Sequence, residues 1–129
     1  MTAPAARPFV GALAADLVAV LVFAAAGRQS HEEGSSALLV LVIAWPFLVA
    51  ALAAYAGLRA ARVPPTSWRG GLVTVATTYV LGMALRGLSG RGLDPAFLLV
   101  ALISLTVLML GWRLAARQLR RRRDLQPAA

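Results

Sequence analysis

Four long apolar runs follow one another along the chain, each closed by a short cluster of glycine, proline or charged residues. A helix needs about 20 mostly apolar residues to cross a bilayer core. The runs predict spans at about residues 9–27, 37–58, 70–88 and 96–112. The punctuation agrees with those limits. Pro8 suits a first helical turn, where a missing N–H costs nothing. Residues 28–36 are polar, residues 59–69 hold three arginines and Pro64-Pro65, and Ser89 to Pro95 is a glycine-rich turn suited to a tight helical hairpin. Residues 1–8 read as a tail, residues 9–119 as a transmembrane domain and residues 120–129 as a basic, disordered C-terminal tail. The expected fold class is all-α: a polytopic membrane protein with four transmembrane helices in a compact bundle.

Composition strengthens that picture. Of 129 residues, 60% are hydrophobic and 14% charged, with a mean hydropathy of +0.75. A soluble domain carries about 45–50% apolar and about 25% charged residues, so the bilayer is the solvent here. Ala24-Ala25-Ala26 could pass for a signal-peptidase site, but Asp16 inside the apolar region and the single upstream Arg7 argue against cleavage. The chain has no cysteine, which removes disulfides and thiolate metal sites.

The net charge of +8 changes meaning once its sources are placed. All thirteen basic residues are arginine, and most flank apolar runs. Nucleic-acid binding would need a soluble fold with a basic face, so no nucleic-acid partner is expected. The first tail, the middle loop and the last tail hold one, three and six arginines, ten in all, against Arg28 and Arg91 in the two opposite turns. The positive-inside rule then puts both termini in the cytoplasm of a cell with the protein in its inner (plasma) membrane. The Arg120, Arg121, Arg122 and Arg123 run is expected to rest on anionic lipid, and Trp68 and Trp112 to sit at the interface. Small residues at spacing four, Gly11-Ala15-Ala19 and Ala50-Ala54, allow close helix approach within one chain or across a homodimer.

One residue resists the apolar scheme. A mid-membrane Asp costs about 2.5–3.5 kcal/mol to insert, and each Leu, Val or Phe returns about 0.3–0.6. Asp16 must therefore face protein or water. Counted from the helix ends at about 1.5 Å per residue, Asp16, Trp45-Pro46, Thr77-Thr78 and Ser104 share one depth. Thr74, Thr78, Gly82 and Arg86 line one face of the third span at spacing four. Arg86 is the natural ionic partner for Asp16, although it sits about 12 Å further outward, so a water or hydroxyl from Thr78 or Tyr79 would bridge them. At the outer mouth, Arg28, Ser30 and His31 are candidate polar residues. His31-Glu32-Glu33 is poor metal geometry, and no second histidine exists. No metal site or cofactor is expected.

The pattern Asp16, Phe23, Gly27-Arg28, Ser30-His31, Trp45-Pro46, Gly82, Arg86 and Gly111-Trp112-Arg113 resembles a family of small prokaryotic membrane proteins, domain-of-unknown-function family 3054. The resemblance covers about Asp16 to Arg123. It implies four membrane helices and no assigned activity, so no catalytic residue carries over.

Two functions fit these residues. In one, the polar layer of Asp16, Arg86, Thr78, Thr74, Trp45 and Ser104 serves transport or conduction of a small polar solute or ion, proton-coupled through Asp16, with Arg86 binding an anion or tuning Asp16. In the other, the protein is a non-catalytic accessory or scaffold subunit whose polar layer only specifies helix packing. An enzyme is not expected, because the sequence shows no nucleophile–base pair and no phosphate loop.

Overall fold

A computed structural model describes the backbone of residues 3–29 and 37–125, and the side chains of residues 9–27 and 37–125. It contains α1 (Ala3–Gln29), α2 (Ala37–Ala61), α3 (Trp68–Leu88) and α4 (Pro95–Leu125). All four are long and apolar enough to cross a membrane. Helices are the solution because hydrocarbon offers no partner to a backbone N–H or C=O, so each must be satisfied within its own segment.

Helix limits follow from local chemistry. The α2 end places Arg62 in the left-handed region (φ 59°), and Val63 N–H reaches back to the Leu58 carbonyl at 2.9 Å, a Schellman-type closure. Ser67 caps α3, its hydroxyl accepting from Gly70 N–H at 3.0 Å. Asp94 caps α4, accepting from Ala96 N–H at 3.2 Å, with Pro95 in the first helical position. Between them Gly90 and Gly92 take φ values of 83° and 85°, which a side chain would resist.

Two helices outrun their expected ends. α1 begins at Ala3, so the backbone of most of residues 1–8 is helix rather than tail. α4 continues through Arg120, Arg121, Arg122 and Arg123 to Leu125, where a disordered stretch was expected. Arginine is a good helix former, and cations at a helix C-terminus are stabilised by its dipole. These four arginines are exposed.

Each helix packs on its neighbours in sequence, and α4 closes the ring against α1; the diagonal backbones stay apart, while side chains of α2 and α4 touch across the axis through Phe47–Phe97 and Tyr55–Arg113. Neighbours run antiparallel: Asp16 and Phe23 of α1 face Arg113 and Phe97 of α4 in reversed order, giving an up-down-up-down bundle. Val20, Ala24, Ala44, Phe47, Ala50, Leu105 and Met109 fill its axis. Val18, Val80, Ile103 and Val107 are among the large apolar residues left on the outside, the surface that lipid would cover.

Towards one end, Phe23, Phe47 and Phe97 form an aromatic cluster, with centroids 5.5 Å apart for Phe23–Phe47 and 5.8 Å for Phe23–Phe97. Gly82 makes room for it: a Cβ there would lie 2.3 Å from the Phe47 ring. Gly82→Ala is expected to lower stability in detergent by about 1–3 kcal/mol through overpacking, and Phe47→Leu in that background should recover part of the loss. Wild-type melting of Gly82→Ala would refute this packing.

Candidate functional site

Asp16 faces inward on α1 because Ala12, Ala19, Val20 and Phe23, at helical spacing, are the buried stripe of that helix. It is fully buried. On α4, Ala101, Leu105 and Met109 make a buried stripe at spacing four, and Arg113 is its next member, 3% exposed. On α2, Tyr55 lies between the buried residues Ala51, Ala54 and Leu58. The three polar groups meet in one cluster.

Arg113 grips Asp16 with both arms: Nη1 donates to Oδ1 at 3.0 Å and Nη2 to Oδ2 at 2.8 Å. Trp112 Nε1–H donates to Oδ1 at 2.8 Å, and the Tyr55 hydroxyl donates to Oδ2. The carboxylate thus fills about four acceptor sites, its full capacity. The guanidinium is equally spent. Its Nε–H goes to the Pro65 carbonyl at 2.9 Å, Nη1 also to Met109 O at 2.8 Å, and Nη2 also to the Tyr55 oxygen at 3.3 Å. All five donors are used.

Helix α3 contributes by absence. A Cβ on Gly71 would fall 2.8 Å from Arg113 Cδ, and one on Gly70 would fall 2.2 Å from the Pro64 carbonyl oxygen. The two glycines let the arginine and the 62–67 connection settle against α3, and that brings the Pro65 carbonyl within reach.

The sequence-predicted polar layer does not assemble as one site. Asp16 is level with Tyr55 and Arg113, each nine residues from Pro46 and Ser104, the positions expected at its depth, about 13 Å along either helix. Trp45 is 40% exposed on the outer surface, and Ser104 is half-buried. Thr74 is buried and donates to its own helix at Gly70 O, 2.8 Å away. Thr78 is buried, and its hydroxyl is the one buried side-chain polar atom without a partner among the described residues. Arg86 is not the partner of Asp16: its Nε donates to Gly92 O at 3.0 Å, and its guanidinium lies 3.8 Å over Phe97 at the opposite end of the bundle. The Arg28 side chain, Ser30 and His31 lie outside the described residues. Among the described residues no group of three His, Cys, Asp or Glu could hold a metal.

Arg113 escaped sequence reading because it was grouped with the basic tail, and Trp112 because it passed for an interfacial aromatic. The spacing Ala101, Leu105, Met109, Arg113 was the available signal. Tyr55→Phe is expected to cost about 1–3 kcal/mol by removing a donor from a buried carboxylate, whereas Trp45→Phe should stay within about 0.5 kcal/mol. Detergent melts of both variants check the contrast.

No curated protein and no solved structure matches the chain. A family model does match, over residues 13–116, a stretch that includes Asp16, Tyr55, Trp112 and Arg113. The chain belongs to the family described as Protein of unknown function (DUF3054), and its described residues form four helices, all long and apolar enough to cross a membrane.

Proposed function

We propose that the protein is a non-catalytic accessory or scaffold subunit of the membrane, in which the Asp16–Arg113 cluster is a clamp that fixes helix packing. One observation carries this reading: the network is closed. Every guanidinium donor and about every carboxylate lone pair has a partner inside the protein. A group that relays a proton or coordinates a passing ion needs a free position or a water-filled approach, and this pair has neither in the described conformation. A fully satisfied polar network rigidifies a core and specifies it.

The arginine-rich end, which carries the clamp, is the cytoplasmic one by the positive-inside rule. That orientation gives both termini inside and α4 extending from the inner (plasma) membrane as a basic helix on anionic lipid. Exposed apolar faces leave room for a homodimer or a larger assembly.

Transport of a small polar solute keeps one supporting observation. A cavity opens at the end opposite the clamp, lined by residues that include Phe23, Arg86 and Phe97. One open end and one closed end is the arrangement alternating access requires, with Asp16–Arg113 as the closed gate.

Asp16→Asn separates the two. Removing one partner of a buried ion pair leaves the other charge uncompensated, a loss of about 3–5 kcal/mol. The scaffold reading expects the variant to melt well below wild type in mild detergent. A variant that melts like wild type yet loses solute or proton flux in proteoliposomes would overturn it in favour of transport.

A further inference from the structure

The cavity at the end opposite the clamp is a second feature, independent of how Asp16 is used. It measures about 320 Å³, and its lining includes Phe23 of α1, Ile43 of α2, Arg86 of α3, and Phe97 and Val100 of α4. Ligand pockets for small molecules begin at about 300 Å³ and are mostly apolar with a few placed polar groups. This one has that make-up.

Arg86 is the placed group. Stacking on Phe97 at 3.8 Å and the Nε bond to Gly92 O at 3.0 Å fix the plane of its guanidinium. Those contacts use its face and one donor. The donors on its two terminal nitrogens have no hydrogen-bond partner among the described residues, in contrast to Arg113, where all five are engaged. Arg91 adds a second positive charge to the lining. Asp94, the acidic residue there, already spends Oδ1 on the α4 cap. A guanidinium fork with free terminal donors matches a carboxylate or phosphate, and the aromatic and aliphatic walls match an apolar body. Val100, 52% exposed, leaves the cavity open towards the outer face of the bundle.

We infer that this cavity binds an organic anion with an apolar body, its carboxylate or phosphate on Arg86 and its hydrophobic part against Phe23, Ile43 and Val100. The anion is either the headgroup of an acidic lipid or a free amphiphilic acid.

The test is calorimetric titration of the purified full-length protein with 2-naphthoate, beside the neutral isostere 2-naphthamide. The expected result is saturable binding of the acid, at least about tenfold weaker binding of the amide, and a similar loss for Arg86→Gln. Because Arg86 also holds the 89–94 turn, Val100→Trp, which fills the cavity and leaves that arginine alone, should abolish binding as well. Equal affinity for acid and amide, binding unaffected by either variant, or no binding to wild type would overturn the inference. Repeating the titration in nanodiscs with and without phosphatidylglycerol assigns the source: competition by that lipid identifies a headgroup site, and binding without competition identifies a free acid. Both support an anion site. Neither depends on the Asp16 clamp, so failure here leaves the scaffold proposal standing.

Discussion

A carboxylate and a guanidinium inside an apolar bundle are tolerable only as a pair, and the Asp16–Arg113 contact is what the rest of this structure is arranged to permit. Either ion alone would carry a desolvation penalty of several kcal/mol. The pair therefore demands further partners, and each comes from a different part of the chain. Tyr55 comes from α2, Trp112 from α4 and the Pro65 carbonyl from the α2–α3 connection. Gly70 and Gly71 give up side chains so that the connection and the arginine can reach their places. Through one carboxylate, three helices and a loop are held in register, and α3 is shaped around them.

The helices were legible because hydropathy over a membrane-length window is a strong signal, and the described bundle follows it. Asp16 was legible too, since a charge in such a window must find protein or water. Its partner was not. Depth counted from helix ends compares backbone positions inside the spans, and Arg113 stands one residue beyond the expected end of the fourth. Asp16 lies 13 residues before the end of α1, about 20 Å, and Arg113 lies 18 residues into α4, about 27 Å. The difference is what a long arginine covers when it leans towards the N-terminus of its helix. Arg86 looked better placed only because it lay inside a span, whereas Arg113 stood beside a run of surface arginines. The α4 extension was misread for a related reason: charge pattern marks a segment as solvated without deciding whether it is helical.

The two ends of the bundle differ in physical character. At the arginine-rich end, the hydrogen-bonding capacity of Asp16 and Arg113 is used up within the protein. At the other, an arginine is oriented by an aromatic face and a carbonyl and keeps donors without a partner among the described residues, beside a cavity with apolar walls. Between them lies Thr78, whose buried hydroxyl has no partner among the described residues. In the proposals made above, the first end serves rigidity and the second receives an anion.

The dependence on the ion pair is most directly measured by a double-mutant cycle of Asp16→Asn and Arg113→Gln, read as unfolding free energy in one mild detergent. If the clamp organises the bundle, each single variant loses stability and the double variant loses clearly less than their sum, a coupling on the order of 2 kcal/mol or more. Additive losses, or single variants as stable as wild type, would contradict it.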